Sequence, residues 1–119
     1  MEETRLKDII KALQDAGFDV YTPGTHKGQC KNTYIVVKDA GTMQMGTFST
    51  LQYGYDIMLY VPVGKFSQLD PLMQKVRAVM NKLSKKIALR IAYEMSAPFY
   101  DDTVKAYMSY ATYINLRKL

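Results

Sequence analysis

The chain has 119 residues, of which 48% are hydrophobic and 23% charged, an ordinary globular balance that excludes a disordered chain. That length suits a single domain, 1–119, and is too short for two. The formal charge of +5 belongs to the second half: residues 1–62 hold six Lys/Arg against seven Asp/Glu, and residues 63–119 hold ten against four.

The opening MEETRLKD has neither the basic start nor the apolar stretch of a secretory signal. The longest apolar run, residues 57–63, is under half of what a membrane-spanning helix needs. The expectation is a soluble chain, not exported by that route and making no membrane contact. Cys30 is the only cysteine, so an intrachain disulfide is impossible and a reducing compartment fits.

Leu6, Ile9, Ile10 and Leu13 recur at helical spacing and predict a first helix, with Gly17 placed to end it in the left-handed conformation. Residues 18–22 read as a short strand closed by Pro23-Gly24. Tyr34, Ile35, Val36 and Val37 form a continuous β-branched run, as expected of a strand covered on both faces and lying inside the sheet. Residues 39–50 (DAGTMQMGTFST) have no sustained period and read as a long loop or a loosely held hairpin. Leu51, Tyr53, Tyr55, Ile57, Leu59 and Val61 alternate with more polar residues, the pattern of a long strand.

Asp70-Pro71 predicts the start of a second helix, with Asp70 as cap and Leu72, Met73, Val76, Val79, Met80 and Leu83 as its apolar stripe. Lys82, Lys85 and Lys86 gather at its end, where the helix dipole favours cations. Two alternating runs follow, residues 87–95 and 104–116, separated by a break at Ala97-Pro98 and Asp101-Asp102. The order α-β-β-β-α-β-β predicts an α+β fold, a mostly antiparallel sheet with two helices packed on one face.

No catalytic constellation emerges. His26 and Cys30 share a loop, but no third group is indicated to orient them as base and nucleophile. One His and one Cys do not make a structural zinc site, so no metal or cofactor is expected. PGTHKGQC lacks the glycine spacing and the Gly-Lys-Ser/Thr of a phosphate loop. Asp101 and Asp102 read as turn formers.

Contact surfaces are the better candidates. In the last strand, the face opposite Met108, Tyr110 and Ile114 carries Tyr107, Ala111 and Tyr113, an outer face that either a partner or part of the same chain must cover. Met43, Met45 and Phe48 either tuck into the domain's own core or form an arm that docks on a neighbour, a role suited to methionine's adaptability. Met43, Met45, Phe48, Tyr107 and Tyr113 are therefore the candidate interface residues.

The segments THKGQCKNTYIVVKDAGT (25–42) and PFYDDTVKAYMSYATYINLRK (98–118) resemble the tail terminator and tail-completion (minor capsid, neck) proteins of tailed phages and prophages. The likeness spans nearly the whole chain in length and element order. It implies a non-enzymatic homo-oligomer, typically a hexameric ring, that caps the tail tube and meets the head-tail connector, and also the sheath where the tail contracts. It implies assembly in the bacterial cytoplasm and residence in a virion or phage-tail-like, bacteriocin-like particle, with only non-specific contact to DNA. The alternatives are a head-completion or stopper protein of the neck and, in a different class, a small basic nucleic-acid-binding domain.

Overall fold

The apolar stripe Leu6, Ile9, Ile10 and Leu13 folds as α1 (Leu6–Asp15), with Ile9 and Leu13 wholly buried. The computed structural model describes residues 6–22, 32–44, 50–87, 89–93 and 96–118. Gly17 ends α1 as expected, at φ 96°. Its N–H donates to the Gln14 carbonyl at 2.9 Å and the Phe18 N–H to the Leu13 carbonyl at 3.1 Å, the paired bonds that close a helix through a left-handed residue.

The chain then enters β1 (Val20–Tyr21), which pairs in parallel with β2 (Tyr34–Gln44). Residues 34–37 of β2 are buried on both faces, and β2 lies between β1 and β3 (Thr50–Pro62), as the continuous apolar run predicts. The long-loop alternative for residues 39–50 does not hold for residues 39–44, which belong to β2. Antiparallel pairing continues to Gln44 opposite Leu51, with an irregularity between Asp39 and Gly41. The hairpin alternative is the observed one, because an extended backbone opposite β3 satisfies its polar groups whatever its side-chain period.

A 3₁₀ turn (Phe66–Gln68) leads directly into α2 (Leu69–Leu83). The helix starts earlier than its expected cap. Asp70 lies within the first turn, where its Oδ2 accepts a bond from Gln74 Nε2 at 3.3 Å, because the preceding turn and the buried Leu69 already set the chain on its helical course. Pro71 remains within the first turn, where an N–H has no partner to lose.

The sheet has the order β1-β2-β3-β6-β4, with β4 (Leu89–Tyr93) and β6 (Ala106–Lys118) antiparallel. A further strand, β5 (Phe99–Asp101), stands where only a break was expected. β3 takes one edge of β6 along its whole length, so β4 and β5 share the other edge, opposite residues 112–115 and 106–108. Ser96 bridges the gap between them: its N–H donates to the Tyr110 carbonyl at 2.8 Å, and the buried Ser109 Oγ donates to the Ser96 carbonyl at 2.6 Å. Thirteen-residue strands span about 43 Å at ~3.3 Å per residue, which accounts for the long axis of 47 Å.

Both helices cover one sheet face. Ile9, Leu13, Leu72, Val76 and Met80 close over Ile35, Val37, Tyr55, Ile57, Leu59 and Val61, and over Ala111 and Tyr113 of β6. Of the two alternatives for the tyrosine-bearing face of β6, cover by the same chain is the one observed: the face bearing Tyr107, Ala111 and Tyr113 is the core face. Both faces of this strand are apolar, so alternation alone could not orient it. Its register does, setting Tyr113 opposite Tyr55, Ala111 opposite Ile57 and Ser109 opposite Leu59, and the small Ser109 and Ala111 leave room for the helix layer. On the far face a smaller cluster joins Tyr34, Val36 and Ala106 to Tyr21, Met58, Tyr60 and Val104. There the Tyr34 and Tyr60 rings stack at 4.7 Å and 10°.

Candidate protein-contact surface

The β5–β6 hairpin is built by its acids. Asp101 Oδ1 accepts the Thr103 N–H at 2.9 Å, and Asp102 pairs with Lys105 at 2.8 Å. Lys105 takes the left-handed conformation at φ 54° that returns the chain into β6. The hydrogen bond to Asp102, reinforced by its charge, raises the Lys105 pKa above its ordinary value. Asp101 and Asp102 thus act as turn formers.

This turn projects aromatic side chains on both sides of the sheet edge. On the helix side, the half-buried Tyr107 ring meets Phe66 at 4.8 Å and Tyr100 at 5.4 Å, both edge-on. On the far side, Phe99 meets Tyr110 at 6.3 Å. Phe66 is 50% exposed, Phe99 and Tyr100 44%, and Tyr110 41%. Val63, at the end of β3, is also exposed. Among the described residues these five are the exposed large apolar side chains, and the pairing of Pro62 with Ala106 and of Tyr100 with Tyr107 brings them around one hairpin.

No protein-family model matches the chain, and no curated protein does.

A second surface lies at the other end of α2. Lys82, Lys85 and Lys86 are exposed there, and none of the three is in an ion pair among the described residues. Lys82 and Lys86 line a cleft of about 310 Å³ between the helices, together with Ala12, Ala16, Val79 and Leu83. Asp15 stands at its margin, already paired with Lys11 at 3.4 Å. A larger opening of about 400 Å³ separates the end of α1 from the start of α2, lined by Asp19, Thr33, Ser67, Gln68 and Lys75 among others. Asp19 there accepts the Tyr21 hydroxyl at 3.0 Å, and this bond raises the tyrosine's pKa.

The five residues singled out from sequence fare differently. Tyr107 belongs to the aromatic cluster. Tyr113 does not face outward: it is 2% exposed and packed in the main core. Met43 lies on β2 opposite Gln52, whereas Met45 and Phe48, like His26 and Cys30, fall outside the described residues. Among the described residues no three His, Cys, Asp or Glu side chains stand together as metal ligands, and no helix is long and apolar enough to cross a membrane. Sequence reasoning passed over Phe66, Phe99 and Tyr100. The available signal was PFYDD, in which two adjacent aromatics sit between a proline and a turn, where a purely solvated break would need neither.

Proposed function

We propose that the chain is a non-catalytic, ring-forming structural subunit of the tail-terminator kind, which caps a phage or prophage tail tube and joins it to the head connector. The observation that carries this reading is the gathering of Val63, Phe66, Phe99, Tyr100 and Tyr110 around one hairpin. A lone exposed apolar residue needs no explanation, but a cluster of exposed aromatics is the mark of a protein-contact site. The resemblance of segments 25–42 and 98–118 to tail-completion proteins supplies the kind of assembly, a homo-oligomeric ring, typically of six, with the tube below it and the connector above. In a contractile particle the last sheath layer would be a further neighbour.

The test is the state of the purified protein, measured by light scattering and electron microscopy with and without tail tubes. A closed homo-oligomer that binds the end of the tube is expected. A strict monomer at high concentration, in the presence of tubes as well, overturns the reading.

A further inference from the structure

We infer that the outward face of the two helices holds duplex DNA by its phosphate backbone, without reading its sequence. The inference goes beyond the ring reading and does not depend on it, because a single subunit carries the whole face.

Charge is segregated in this fold. α1, α2 and the turn after α2, up to Lys86, hold seven of the chain's sixteen Lys/Arg and three of its eleven Asp/Glu. All seven cations are exposed, and the buried sides of both helices face the sheet, so the charge looks away from it. Lys75 and Lys82 lie nearly two turns apart on one side of α2, ~10 Å at ~1.5 Å per residue. Lys86 follows Lys82 along the cleft beside α1. Of the acids, Asp8 is half-buried, Asp15 is engaged with Lys11, and Asp70 accepts a bond from Gln74. Lys7, Lys75, Lys82, Lys85 and Lys86 are in no ion pair among the described residues. Lys82, Lys85 and Lys86 stand at the negative end of the helix dipole, which favours cations there. The dipole does not account for Lys75 in the middle of α2, nor for Lys7 in the first turn of α1, where it disfavours a cation.

The chemistry of the face selects its partner. Protein interfaces are built round aromatic and aliphatic anchors and are depleted in lysine. Among the described residues, the exposed large apolar side chains lie around the β5–β6 hairpin and not on the two helices. Single-stranded nucleic acid is held by stacking its bases on aromatic rings, which the helix face also lacks. Lysines in rows are point charges suited to phosphates, and phosphate contacts position a duplex without carrying sequence information.

The test compares two full-length variants that lose the same charge in different places. Lys75→Gln with Lys82→Gln alters the helix face, and Lys38→Gln with Lys65→Gln removes two exposed lysines that lie off it. Binding to labelled duplexes of two unrelated sequences is followed by fluorescence anisotropy from about 50 to 200 mM salt, the range over which phosphate contacts are screened. The wild type is expected to bind both duplexes equally. The helix variant should bind more weakly, with the slope of log affinity against log salt reduced by about 1.8, at ~0.9 for each lost phosphate contact. The second variant should keep the wild-type slope. Equal losses in the two variants would assign the binding to total charge and overturn the inference. A wild type that binds no duplex at the lowest salt overturns it, as does one that prefers the single strand. Polyglutamate held as tightly as the duplex also overturns it, in favour of an acidic protein partner. Should the helix variant lose the wild-type circular dichroism, Lys82→Gln alone replaces it, with half the change in slope. None of these outcomes bears on whether the wild type forms a ring, which light scattering decides separately.

Discussion

Tyr113 lies directly opposite Tyr55 in the β3–β6 register, and both rings are buried beneath the helices. Tyr107, six residues earlier on the same face, stays half-buried and carries the exposed rings of Phe66 and Tyr100. One face of one strand thus serves the core at one end and an exposed aromatic cluster at the other. Tyr113→Ala should destabilise the subunit by about 3–5 kcal/mol, the usual cost of deleting a buried aromatic ring. Tyr107→Ala should cost clearly less stability and act mainly on assembly. Denaturant unfolding and sedimentation of both variants measure the contrast, and equal stability losses would refute it.

Gly17 holds φ 96° with nothing within 4 Å of where a Cβ would stand. Gly17→Ala therefore meets backbone strain and no clash, and should cost about 1–2 kcal/mol. Thermal unfolding is the measurement. An unchanged midpoint would mean that the turn after α1 relaxes without loss.

Residues 41–44 pair with residues 51–54 within a single subunit, and β1 borders β2 only at Ile35 and Val36. Amide exchange on the isolated protein should therefore be slow at alternate positions across residues 41–44, where N–H groups point to β3, and fast between them. Uniformly fast exchange there, with protection gained only on assembly, would restore the docking arm expected from the glycines and methionines.

The exposed lysines at the end of α2 predict weak, sequence-indifferent binding to duplex DNA that largely disappears between about 50 and 200 mM salt. Lys82→Glu with Lys86→Glu should abolish what remains. Tight binding to one sequence that survives moderate salt would favour the nucleic-acid-binding alternative.

The sequence by itself determined the type of every α-helix and strand except β5, and fixed their limits only approximately, because the signals are local. Leu6 to Leu13 and Leu72 to Leu83 repeat at 3.6 residues, residues 51–61 alternate, and Gly17 has the backbone freedom that its stop requires. The α+β class followed from that order. Only the tertiary structure decided which side of β6 faces the helices, since Tyr107, Ala111 and Tyr113 are as apolar as Met108, Tyr110 and Ile114, and a two-residue period with two apolar phases has no preferred side. Its pairing with β3 made the choice, and that choice buried Tyr113. The exposed aromatic cluster was equally out of reach of local pattern. Val63, Phe66, Phe99, Tyr100 and Tyr110 are scattered over 48 positions of the chain, and they gather on the two sides of one hairpin because β5 folds back on β6 beside the end of β3, a long-range pairing that no local signal encodes.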